Sequence, residues 1–150
     1  MRKNKGFSLI ELLIVVAIIL IIAAIAIPNL VKSKMAANEA SAVGSIRTIT
    51  TSEITYASVY PSTGYTTLAN LGSAGMIDTT LAAGTKSGFT FTAAANGTTT
   101  TQFLATAGPQ STSTGTNYYC SSESGVIKRG STTFTYTTCT DTTTGAPIGN

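Results

Sequence analysis

The sequence predicts an α+β protein: a long N-terminal α-helix, first transmembrane and then amphipathic, packed on a small antiparallel β-sheet head. Three observations predict it. Phe7 to Ile27 reads FSLIELLIVVAIILIIAAIAI, 21 residues with a single charge, Glu11. From Asn29 to Tyr60, apolar residues return at close to helical period. From Pro61 onward the chain is rich in Thr, Ser and Gly, with Phe and Tyr set among threonines. The composition points the same way. Charged residues make up 10% of the 150, against roughly 25% in an ordinary soluble domain, and mean hydropathy is +0.27.

Each segment follows from its residues. Residues 1–6 form a short head carrying Arg2, Lys3 and Lys5 and ending at Gly6. Residues 7–31 hold the apolar run. As a helix rising ~1.5 Å per residue it reaches about 31 Å, enough to cross a hydrocarbon core. Lys32 and Lys34 follow it. In residues 32–60 the apolar positions Ala36, Ala40, Val43, Ile46, Ile49, Ile54 and Ala57 define the expected buried stripe. Pro61, with Ser62 and Gly64 behind it, marks the end of the helix. Residues 61–150 form the head. Strands are expected at Phe89–Thr92 and Thr98–Thr106, joined by an Asn96-Gly97 hairpin turn, and at Tyr118–Ser121, Val126–Arg129 and Phe134–Thr138. A turn at Glu123-Ser124-Gly125 joins Tyr118–Ser121 to Val126–Arg129.

Several functions are disfavoured. With no His and two Cys, there is little material for a metal cluster or a His-based catalytic centre, and no serine has a nucleophile context. No enzyme, metal or cofactor is expected. Asp78, Glu123 and Asp141 stand apart from one another and make no calcium loop. Nine basic residues, scattered and partly offset by six acidic ones, argue against nucleic acid as the main partner. Lys128-Arg129 beside Phe134 and Tyr136 is the one candidate DNA patch, and a solvated strand end is the plainer reading.

The N-terminus has three readings. An ordinary secretory signal cut near Ala24-Ile25-Ala26 would release a soluble binding domain, but the apolar run exceeds the usual length of ~7–15 residues. A plain membrane anchor fits the length and leaves Glu11 unexplained, since a lone carboxylate in lipid is costly. Cleavage after Gly6 explains both features. It frees an α-amino group on Phe7, one helical turn from Glu11, and that ammonium can neutralise the carboxylate within one chain or between staggered neighbours.

The run Lys5-Gly6-Phe7-Ser8-Leu9-Ile10-Glu11-Leu12-Leu13-Ile14-Val15-Val16-Ala17-Ile18 closely resembles the class III signal and anchor of type IV pilins and type II secretion pseudopilins. The match covers residues 1–35. It implies a pilin-like fold, cleavage after Gly6 by a prepilin peptidase, N-methylation of Phe7, and a role for Glu11 in docking subunits. Pro28 matches a helix-kinking proline of many pilins. The paired cysteines, Cys120 and Cys139, match a disulfide that in many pilins ties the last strands together; an exported head disfavours the alternative of two free thiols. The order Tyr118-Tyr119 before Gly125-Val126-Ile127 looks like the heads of pilin-like sequences. The function implied is that of a structural subunit of a type IV pilus, polymerising with itself for adhesion, motility or DNA uptake. A secretion pseudopilin forming a periplasmic piston is the alternative. The partners implied are prepilin peptidase, an assembly ATPase with its platform, and inner-membrane lipid before assembly. The paired cysteines and the missing calcium loop tilt the reading to the pilus.

The leader also accounts for the net charge of +3. It carries three of the nine basic residues, so the remaining chain has six basic and six acidic side chains. The basicity is then an orientation signal that keeps residues 1–6 cytoplasmic.

Overall fold

The computed structural model describes residues 6–96 and 101–148. Its contacts divide the chain into two units, Met1–Lys34 and Met35–Asn150.

Helix α1, Leu9–Val59, begins in the first unit and ends in the second. Within the first unit none of residues 6–34 is buried. Pro28 lies inside the helix and has no N–H to offer the preceding turn. Asn29 Nδ2 donates to the Ile25 carbonyl at 3.1 Å, and Ser33 Oγ to the Asn29 carbonyl at 2.9 Å. At the far end, Tyr60 precedes Pro61, whose ring disfavours helical geometry in the residue before it. Gly64, at φ 70°, turns the chain away, its N–H bonded to the Tyr60 carbonyl at 2.9 Å.

In the second unit α1 buries Ala42, Ser45, Ile46, Ile49, Thr50, Ser52 and Glu53. Ile46 and Ile49 lie in the interior as expected. Ala36, Ala40 and Ile54 do not; they are exposed. At ~100° per residue these three point roughly 80–120° around the helix from Ile46. The buried face instead runs through small and polar positions, because the bulk of the core comes from the sheet.

Two short helices follow, neither expected from periodicity. In α2, Leu68–Ser73, the Thr67 side chain accepts from the Asn70 N–H, and in α3, Thr79–Ala82, the Asp78 side chain accepts from the Leu81 N–H. Such N-caps satisfy orphan amides at helix starts. Leu68, Leu71 and Leu81 enter the core.

The sheet has six strands: β1 (Thr85–Lys86), β2 (Phe89–Ala95), β3 (Phe103–Pro109), β4 (Tyr118–Ser122), β5 (Lys128–Gly130) and β6 (Ala146–Pro147). They lie in sequence order, every neighbouring pair antiparallel. Phe89, Phe91 and Ala93 of β2 and Phe103, Ala105 and Ala107 of β3 point into the core. Their register sets large against small, Phe91 opposite Ala107 and Phe103 opposite Ala95. Ser87 (φ 51°) and Gly88 (φ 74°) make the two-residue turn from β1 to β2. Two successive positive φ values suit that turn to the twist of the strands.

Three strand expectations are corrected. β2 and β3 pair as the expected antiparallel hairpin, with Ala95 opposite Phe103. Gly97 and residues 98–100 of the expected Thr98–Thr106 strand lie outside the described residues, and β3 starts at Phe103. Val126 and Ile127 precede β5, which begins at Lys128. Phe134–Thr138 is not a strand: Tyr136–Thr140 forms helix α4. There the Thr135 side chain accepts from the Thr138 N–H and the Thr138 side chain from the Thr135 N–H, a capping box built with threonine. Reciprocal capping outweighs the β propensity of the threonines.

Candidate functional site

The first unit is chemically simple. Gly6, Phe7 and Ser8 precede the helix, and Phe7 is 82% exposed. Ser8 stands at the cap: its carbonyl accepts from the Leu12 N–H at 3.2 Å, and its N–H donates to Glu11 Oε2 at 2.9 Å. Glu11 therefore closes the first turn, as the carboxylate of a capping box does. Sequence reasoning passed over this role, although Ser8-Leu9-Ile10-Glu11 spells S-x-x-E. Beyond it, the large apolar side chains from Leu9 to Val31 are exposed. A helix of this length and composition can cross a membrane.

The second unit holds its loops with carboxylates. Glu39, on α1, receives the N–H groups of Thr116 (2.9 Å) and Asn117 (3.3 Å) on Oε1, and Asn117 Nδ2 (2.9 Å) and the Tyr119 hydroxyl (3.2 Å) on Oε2. Burial pushes the Glu39 carboxyl up, but these donors together hold it below its ordinary value. Burial, reinforced by the Glu39 charge, pushes the Tyr119 hydroxyl up to about 12. The partners lie 77 to 80 residues apart in sequence, so no local pattern announces the contact. Gly115 sits against the Phe89 ring, where a Cβ would come within 2.6 Å, and this close approach requires glycine in the anchored loop.

Glu53 is buried completely. Its Oε2 accepts the Thr66 N–H at 2.9 Å, while Oε1 has no hydrogen-bond partner. Burial pushes its carboxyl up to about 7. Its place on the Ile46–Ile49 face was readable, but its burial was not.

Cys120 and Cys139 form a disulfide, with Cα atoms 6.1 Å apart. The bridge links β4 to helix α4 rather than two strands, and packs with Phe134, Leu104 and Tyr118. The candidate basic and aromatic patch is not a surface, and Lys128 is not the solvated strand end of the plainer reading. Lys128 is 8% exposed and donates to the Asp141 carbonyl; Phe134 is buried, and the Tyr136 hydroxyl donates to Glu123. The scattered acids have partners of their own. Asp78 caps α3 and pairs with Lys86, and Asp141 accepts from Thr143 and Thr144.

Comparison with known proteins bears on the first unit. Residues 1–27 match the family model described as the prokaryotic N-terminal methylation motif. A stretch of 39 residues is 62% identical to the type IV wide pilus major component PilA4 of Thermus thermophilus, covering 26% of this chain and 30% of that protein. Another of 51 residues is 47% identical to the type IV major pilin protein PilA of Myxococcus xanthus, covering 34% of this chain and 23% of that one. Over these stretches the chain is similar to type IV pilins. The matched stretch spans less than a third of the length of each of these relatives. No solved structure matches the chain. The fold, a long apolar N-terminal helix and a small antiparallel sheet, is the α+β, pilin-like architecture expected from the sequence.

Proposed function

We propose that the chain is a structural subunit of a type IV pilus: cut after Gly6, N-methylated at Phe7, and polymerised with copies of itself into a helical filament. The observation that carries this reading is the union of the methylation motif with an apolar helix whose large apolar side chains from Leu9 to Val31 are exposed. Such a surface needs lipid or other apolar helices around it. In the inner membrane residues 7–31 anchor the subunit. In the filament the same residues form the packed centre, so the apolar surface passes from lipid to protein without facing water.

Glu11 then has two successive tasks. Before the cut it closes the first helical turn on the Ser8 N–H. After the cut the Phe7 ammonium lies within its reach and competes for it, in the same chain or the next, which sets the axial register of neighbouring subunits. Pro28 lies inside the helix, where it removes one backbone hydrogen bond and favours a bend. Prepilin peptidase and an assembly ATPase with its platform are the partners this route needs. That both named relatives are type IV pilins favours the pilus over a periplasmic pseudopilus.

Intact-mass analysis of protein sheared from the cell surface tests the proposal. The expected mass lacks residues 1–6, carries one extra methyl group and is two hydrogens lighter than the dithiol. A mature start at Ile27, or sheared fractions empty of the protein while secretion fails in its absence, removes the pilus reading.

A further inference from the structure

We propose that Glu53 is a proton-operated latch: as a neutral carboxylic acid it stays buried beneath the Tyr65–Thr66 segment, and on losing its proton the buried charge draws in water and opens that segment from helix α1, against the pull of the Thr66 N–H.

The geometry carries this. Glu53 is 0% exposed and shares its helix face with Ile46 and Ile49. Its one hydrogen bond, from the Thr66 N–H at 2.9 Å, joins α1 to the strap leading into α2. Its second oxygen is buried without a partner, and among the described residues the ion pair formed is Lys86 with Asp78, which leaves Glu53 without one. A buried charge needs an opposite charge or a full set of donors; a neutral carboxyl is far cheaper to bury.

The titratable group beside this strap is Tyr65, which feels the charge of Glu53. Tyr65, next to Thr66, has its ring 4.6 Å from that of Phe103. Its hydroxyl is pushed up by burial, then by the charges of Glu123 and Glu53. Glu123, on the turn after β4, is thus a second acid acting on the same tyrosine. No lysine or arginine enters the balance at Glu53, where burial raises the carboxyl and the Thr66 N–H alone opposes it.

The sign follows. Below the unfolded value of 4.5 the acid is neutral in both states and the latch contributes fully; its contribution is lost as pH rises through the folded value of about 7. The chain contains no His, the side chain that ordinarily titrates in this window, so a transition there is readily assigned.

The test uses the full-length chain in detergent micelles. The midpoint of thermal unfolding of the head is expected to fall by roughly 5–10 °C between about pH 5 and pH 8, and to stay level over that window in Glu53→Gln. Should Glu53→Gln fail to fold, the unaltered protein still decides. The carbon-13 resonance of the Glu53 carboxyl and the amide resonance of Thr66 are expected to move together, with a midpoint near pH 7. A Glu53 carboxyl that titrates near 4.5, or an equal pH slope in both proteins, overturns the proposal. The Thr66 readout separates a latch from a buried acid of no consequence, and none of these outcomes depends on filament assembly.

Discussion

Helix α1 is one continuous helix with two kinds of surroundings. From Leu9 to Lys34 no residue is buried, although nearly every side chain up to Val31 is apolar. From Met35 to Val59 the sequence is much more polar, yet seven residues are buried, four of them hydroxyl-bearing or charged. Hydrophobicity alone therefore says little about where a helix is covered. The first stretch leaves its apolar surface exposed, and the second buries what fits against Phe89 and Phe103. On the proposed function, stability resides in one stretch and assembly in the other.

The sharpest way to break this division is to cut the two stretches separately. Phe103→Ala removes a fully buried ring from the core and is expected to cost the head about 3–5 kcal/mol. Leu13→Ala, at a side chain 61% exposed, is expected to leave the unfolding midpoint of the head unchanged and to lower the yield of sheared filaments. Thermal unfolding in micelles and filament recovery, measured on both variants, check the pair. A matching loss of head stability in Leu13→Ala would join the two stretches into one cooperative unit.

A smaller effect is expected at the disulfide. Cys139→Ser opens the loop closed by the Cys120–Cys139 bridge and is expected to cost on the order of 3 kcal/mol in the chain-entropy picture. Denaturant titration measures it. Because Cys139 rides on α4 and Cys120 on β4, the loss is expected to free α4 first, seen as early exchange of the backbone amide at position 139.

The smallest effect separates the two glutamates of the buried stretch. Glu39 is held below its ordinary 4.5, so its contribution is present above that value and is lost as pH falls through the lower, folded value. Glu53 has the opposite sign. Glu39→Gln is expected to cost roughly 1 kcal/mol and to flatten the acid limb of stability, below about pH 4.5, without touching the limb near pH 7. Unfolding midpoints from acid to neutral pH resolve the two limbs.

Much of this was legible in the chain. The basic head, Gly6, Phe7, Glu11 and the apolar run announce themselves because each acts through its near neighbours or through its bulk hydrophobicity. The alternation of Phe89, Phe91 and Phe103 with threonines marked β2 and β3 for the same reason. α4 was missed because Thr135 and Thr138 cap each other, and threonine is an unusual residue for that exchange. The exposed Ala36, Ala40 and Ile54 were misread because apolar spacing finds a helix more readily than it finds the face the sheet will cover.

The sequence by itself determined the N-terminal motif, the extent of the apolar helix and the α+β class, all of which rest on local order and composition. Only the tertiary structure decided which carboxylates matter. Glu39 gathers donors from residues 116–119, and Glu53 is buried with a bond to Thr66. Their protonation depends on burial and on bonds between distant parts of the chain, which exist only once the fold has brought those parts together.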